Sequence, residues 1–255
     1  MRVLLKWLGI IPLILSYSFI SSASGLLPLH QKTTRGIGMR VSSFFSRLIL
    51  RVLGVRVSVN HRERLLNENG ACLIISNHLS YIDVLVLCSL VPAVFVTSVE
   101  LKHTAIIGLL ARLSNSLFVE RRSPAGLKRE IEDIALVLGQ GFPVVLFPEG
   151  TTSNGDRVHQ FKHSLFDAAI ATRSRILPIC LRYTKINDRI LTPHNRDKVF
   201  YYGGVTFFRH LPRLLSLSSI DVEVVPLAAI TVQPNHTRKD LSTLAQSVIS
   251  AAYTS

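Results

Sequence analysis

Short apolar runs alternate with longer stretches of helical period along most of the chain. Cys72-Leu73-Ile74-Ile75, Ala93 to Thr97, Ser116 to Val119, Pro143 to Phe147, Ile176 to Tyr183, Val199 to Gly203 and Ile220 to Val225 read as strands. Helical spacing follows from Val84, over Leu101 to Leu113, over Phe161 to Thr172 and over Leu241 to Ala252. A further helix opens at Ser123-Pro124, a capping serine and a first-turn proline, and closes at Gly139-Gln140-Gly141. Val55-Arg56-Val57-Ser58-Val59 alternates as an edge strand does. Pro178 predicts an early end to its strand, at an edge or a pocket wall. The alternation predicts an α/β fold with a mixed, largely parallel sheet flanked by helices.

Residues 1–54 are patterned differently and set off an N-terminal membrane segment and basic amphipathic helix from an α/β domain over 55–255. Trp7 to Leu29 carries no charge, about 35 Å if helical and enough for a hydrocarbon core of ~30 Å. A retained membrane segment, a cleaved signal peptide ending near Ser22-Ala23-Ser24, and a hairpin bent at Pro12 all fit this stretch. Met39, Val41, Phe44, Phe45, Leu48, Ile49, Val52 and Leu53 fall at helical spacing with Arg40, Arg47 and Arg51 between them. Such a helix suits a membrane interface or the flank of the domain, and Gly54 stops it. Phe207, Phe208, Leu211, Leu214 and Leu215, with Arg209 and Arg213, suggest a second membrane-facing helix.

Charge sharpens this picture. The formal net charge is +13, the hydrophobic fraction is 48%, and residues 1–64 hold ten Lys/Arg against one acid, Glu63. Basic and apolar together point to an anionic membrane surface rather than to nucleic acid. Cys72, Cys88 and Cys180 lie in apolar runs without close spacing, which argues against a disulfide framework or a zinc site. They read as core fillers in a reducing compartment. The basic flank predicts a membrane location with the α/β domain facing the cytoplasm, and a compact single-anchor chain suggests a bacterial inner membrane.

Three stretches carry chemistry. In Asn77-His78-Leu79-Ser80-Tyr81-Ile82-Asp83, a histidine and a carboxylate sit at a strand-to-helix turn. With Ser80 as N-cap, Asp83 falls at the capping-box position and points back toward His78, where it would fix the tautomer and leave the other imidazole nitrogen as a base. On spacing alone, a capped helix beside a polar loop residue reads equally well. Phe118-Val119-Glu120-Arg121 ends a strand in a cation suited to phosphate. Phe147-Pro148-Glu149-Gly150-Thr151-Thr152-Ser153 runs a buried strand into a carboxylate, a glycine and three hydroxyls, with Lys162 as a further anion contact. No G-x-S-x-G elbow is present, which disfavours a serine esterase. A hydrolase and a non-catalytic lipid-binding protein are the competing readings.

Taken together, the stretches resemble the glycerolipid acyltransferase family, in particular the lysophosphatidic acid acyltransferases. The family pattern N-H-x4-D is matched by Asn77, His78 and Asp83, F-[IV]-x-R by Phe118, Val119 and Arg121, F-P-E-G-T by Phe147 to Thr151, and the apolar strand with a proline at Pro178. One departure stands at Gly204, where the resemblance leads us to expect an acid. The resemblance implies that His78, oriented by Asp83, is general base on the free hydroxyl of a lysophospholipid. The acyl donor is a thioester, acyl-CoA or acyl-ACP, with acyl carrier protein as a partner in the latter case. Arg121, Glu149, Gly150, Thr151 and Lys162 hold the acceptor, and no metal or cofactor is required. Lysophosphatidic acid is the default acceptor and a lyso-aminolipid such as lyso-ornithine lipid the alternative.

Overall fold

The structure is a computed structural model and describes residues 1–26, 28, 30–66, 70–102, 104–120 and 124–254. Two long helices, α1 (Arg2–Leu26) and α2 (Gln31–Leu53), precede β1 (Val55–Val59), α3 (Arg62–Leu66), β2 (Cys72–Ser76) and α4 (Ile82–Leu90). Next come β3 (Val94–Ser98), α5 (Val99–Lys102), α6 (Ala105–Leu113), β4 (Leu117–Val119), α7 (Pro124–Gly139) and β5 (Val144–Leu146). A 3₁₀ turn (Ser164–Phe166) leads into α8 (Asp167–Thr172), then β6 (Arg175–Ile186), β7 (Arg189–Ile190) and a 3₁₀ turn (Arg196–Lys198). The chain closes with α9 (Phe207–Ser216), β8 (Ile220–Pro226) and α10 (Arg238–Thr254).

The strands form one mixed sheet in the order β1-β8-β6-β2-β5-β3-β4, with β7 paired to β6. β1 lies at an edge, parallel to β8. β6, β2, β5, β3 and β4 are mutually parallel, and β8 runs antiparallel to β6. β2 is buried at every residue because helices cover both faces of the sheet. Its alternation sorts side chains between two cores. Cys72 and Ile74 join Leu177, Leu181 and Val145 beneath α2, α4 and α9. Leu73 and Ile75 join Val144, Leu146 and Ile176 against α7, α8 and α10. Cys72, Cys88 and Cys180 are free, buried thiols.

Four sequence expectations need correction. The Leu101–Leu113 helix is divided, because Thr104 is extended and its hydroxyl caps α6 by accepting from the Gly108 amide. The Phe161–Thr172 helix begins only at Ser164, and the Phe161 amide instead donates to Gln246 Oε1. Val199 to Gly203 is no strand: it follows a 3₁₀ turn, and the Tyr201 amide donates to the Leu79 carbonyl at 2.9 Å. Pro178 neither ends β6 nor marks an edge, since β6 runs on to Ile186 between β2 and β8. The Pro178 carbonyl accepts from Leu227, just past the end of β8, so its nitrogen faces a flank where the ladder has already stopped. A missing N–H there falls at the end of the β6–β8 pairing rather than within it.

Residues 2–25 form a helix long and apolar enough to cross a membrane, and most of it is exposed. The helix is continuous through Pro12, so no hairpin forms there. The reversal lies between α1 and α2, which pack antiparallel: Lys6 Nζ donates to Leu53 O, Gly9 abuts Val52, and Tyr17 bonds Ser42. The inner face of α2 is rich in small residues (Gly38, Ser42, Ser43, Ser46), and Arg40, Phe44, Arg47 and Arg51 face outward. Ile10, Leu50 and Leu53 share a core with the sheet, so the change of pattern at residue 54 is not a gap in packing.

Candidate active site

The site is built where β2 and β5 end side by side, at the carboxyl edge of the parallel strands where α/β proteins place their ligands. Ile75 lies opposite Leu146. That offset, carried three residues on from this pair, sets His78 opposite Glu149, and the His78 amide donates to Glu149 Oε1 at 2.7 Å.

His78 and Asp83 meet as the spacing predicts. His78 Nδ1 lies 2.9 Å from Asp83 Oδ2. With a carboxylate as partner, Nδ1 carries the proton and Nε2 presents a lone pair. No described residue bonds Nε2, and the His78 side chain is 18% exposed while that of Asp83 is wholly buried. The Leu79 and Ser80 amides donate to the same Oδ2 at 2.6 and 2.8 Å. The Ser80 bond is half of a capping box. The box is not completed, and Ser80 is not the N-cap expected from the sequence: α4 begins at Ile82 with Tyr81 as its N-cap, the Asp83 amide donates to the Ser80 carbonyl at 3.0 Å, and the Ser80 hydroxyl receives only a long contact from Ile82 N at 3.4 Å. Asp83 therefore both shapes the turn and holds the imidazole. The ring stacks on Phe147, centroids 4.0 Å apart and 17° from parallel.

Two further contacts went unrecognised in the sequence. Tyr183 donates its hydroxyl to Asp83 Oδ1 at 2.6 Å. Asn77 donates to the Leu181 carbonyl at 3.0 Å and accepts from the Leu181 amide at 2.8 Å, which ties the motif loop to β6. A period-2 apolar strand gives Tyr183 the look of a core residue, and only the β2–β6 pairing brings it to a carboxylate a hundred positions away.

Glu149 is used inside the protein. Its second oxygen accepts from the His159 amide at 2.9 Å, and its side chain has no exposed surface. Burial, opposed by the two main-chain donors and reinforced by the Asp83 charge, raises its carboxyl to about 7. Gly150 turns the chain at φ +77, and the Ser153 amide returns to the His78 carbonyl at 3.0 Å. Thr151 is exposed at the tip of this loop. Lys162 is exposed too, and lines a mostly apolar cavity of about 250 Å³ with Val119, Leu127, Phe147 and Leu165. Arg121 lies outside the described residues, just past the end of β4. Gly203 and Gly204 form an exposed turn before α9, both at positive φ, so the acid expected at 204 would be strained there. Among the described residues no three His, Cys, Asp or Glu side chains are gathered to hold a metal ion.

The family model described as Acyltransferase matches residues 56–182. A lyso-ornithine lipid O-acyltransferase of Rhizobium meliloti is 35% identical over 78% of this chain and 69% of its own length. Another of that name, from Brucella abortus, is 31% identical over 81% and 80%. A 1-acyl-sn-glycerol-3-phosphate acyltransferase of Neisseria gonorrhoeae is 29% identical over 62% and 59%. In fold, the chain matches the crystal structure of the LPA acyltransferase PlsC from Thermotoga maritima, with a TM-score of 0.67 at 18% identity over 100% and 97% of the two chains. With the His–Asp pair of the first motif assembled at the strand ends, and relatives alike over most of their length, the chain belongs to the acyltransferase family.

Proposed function

We propose that the protein transfers a fatty acyl group from a thioester to the free hydroxyl of a lyso-lipid, and that the acceptor is of the lyso-ornithine type. The observation that carries the chemistry is the His78–Asp83 pair, with Nδ1 held by a buried carboxylate and Nε2 left without a partner among the described residues. Nε2 takes the hydroxyl proton as the oxygen attacks the thioester carbonyl. The tetrahedral adduct collapses, the C–S bond breaks, and the proton passes from His78 to the leaving thiolate. A positioned base contributes about 10²–10⁴ in rate. Stacking on Phe147 keeps the ring from turning away.

The acceptor assignment departs from the lysophosphatidic acid default. It is supported by relatives named lyso-ornithine lipid O-acyltransferase, alike over about four-fifths of this chain, against 62% for the Neisseria relative. Arg121 and Lys162 supply cations for the carboxylate of the ornithine head, with Gly150 and Thr151 at the loop tip. Glu149 acts on the site through the loops it ties. The apolar cavity beside Phe147 takes part of an acyl chain. The donor is acyl-CoA or acyl-ACP. The exposed apolar face of α1 and the Arg40, Arg47 and Arg51 stripe of α2 support a location on an anionic bacterial inner membrane with the site toward the cytoplasm.

Purified membranes offered radiolabelled acyl-CoA or acyl-ACP with lyso-ornithine lipid, lysophosphatidic acid or lysophosphatidylcholine test this reading. Wild type yields acylated ornithine lipid and His78→Ala yields none. Phosphatidic acid as the main product would overturn the acceptor, and free fatty acid alone would mean a hydrolase. Activity retained in His78→Ala would remove the base.

A further inference from the structure

We infer that Tyr183 is a positioning residue of the acyl transfer: its hydroxyl sets the Asp83 carboxylate that in turn sets the His78 imidazole. The inference rests on the base role proposed for His78.

Asp83 has two oxygens with separate duties. Oδ2 receives the His78 ring and the Leu79 and Ser80 amides. Oδ1 receives Tyr183. Three donors on one oxygen leave the carboxylate free to pivot about that oxygen, and a partner on the other stops the pivot. The hydroxyl also satisfies an oxygen that is wholly buried and would otherwise lack a partner.

Tyr183 is well placed to act as a fixed point. It lies on the interior strand β6, opposite Val222 of β8, and its ring meets the edge of Phe200 at 5.3 Å. Asn77 ties the His78 loop to Leu181, two residues earlier on the same strand. Leu181 and Tyr183 therefore share one face of β6. One anchor fixes the distance between loop and strand, and the other uses that distance to hold the carboxylate. Burial raises the Tyr183 hydroxyl well above its ordinary range, which keeps it a donor at any working pH.

Tyr183→Phe deletes only the hydroxyl. We expect kcat to fall about ten-fold or more while KM for lyso-lipid and thioester stays within two-fold, because the lost interaction touches neither substrate. Where Tyr183→Phe folds poorly, ring-fluorinated tyrosines installed at 183 keep the shape and grade the strength of the hydrogen bond. Then kcat should change progressively across the series at constant thermal stability, as a purely structural hydroxyl would not make it do. Unchanged kcat in Tyr183→Phe, a KM effect alone, or a flat fluorotyrosine series would overturn the inference. His78→Ala is run beside them. If it is dead while the Tyr183 variants are normal, only the positioning role fails. If it is active, the base reading has failed first.

Discussion

Glu149 is a carboxylate with no exposed side-chain surface, and its two oxygens take main-chain amides from two loops, at His78 and His159. Glu149→Gln replaces one acceptor by a donor and leaves one of those amides unmatched, at a cost of about 1–3 kcal/mol. We expect a lower melting temperature and a reduced kcat through a loosened His78 main chain. The pH dependence has a defined sign. The folded carboxyl sits near 7 against an unfolded value of 4.5, so between those values the folded state holds more of the proton. Stability from this group is therefore greatest below pH 4.5 and falls as pH rises toward 7. Thermal unfolding across that window should show the advantage of wild type over Glu149→Gln narrowing with rising pH. A gap that widens would mean the amide bonds dominate over burial. His78 and Asp83 were legible from the motif because local chain geometry brings residues five apart together, whereas the role of Glu149 needed the β2–β5 register.

Elements carry the next constraint. Asn77 completes the pairing of the His78 loop with β6 where the β2 strand has ended, giving the Leu181 peptide both its donor and its acceptor. Asn77→Ala should leave two buried main-chain groups unpaired and destabilise the protein by about 2–4 kcal/mol, measured by denaturant unfolding, with transfer activity lost in step. The helical hairpin has a similar pin. Lys6 Nζ donates to the carbonyls of Leu53 and Leu217, which end α2 and α9. Lys6→Met keeps the length and removes both bonds, so it should lower the melting temperature and expose the α1–α2 seam to protease. The apolar helix was evident from its uncharged run, but its attachment was not, since one lysine near a chain start reads as flanking charge. For α9 the pattern was half right: Leu214 and Leu215 are buried, while Phe208, Arg209 and Arg213 remain exposed.

For the whole molecule, a net charge of +13 beside an exposed apolar helix predicts binding to anionic bilayers that weakens with salt. Flotation with vesicles rich in phosphatidylglycerol should show partial release as the Debye length shrinks from about 10 Å at 0.1 M salt to about 3 Å at 1 M. Salt-independent flotation would mean that the apolar face of α1 suffices alone. Sequence by itself determined the general sheet-and-helix alternation and the acyltransferase motifs, because each rests on period or on residues within a short stretch, and the motifs in turn singled out the His–Asp pair that spacing alone left open. Tertiary structure alone decided what lies behind them. It set Tyr183 on Asp83, turned Glu149 inward to two amides, passed Pro178 through an interior strand, and closed α1 onto α2 rather than on itself at Pro12. Each of these depends on strand register or helix packing between distant segments, and such pairings leave no local period for the eye to find.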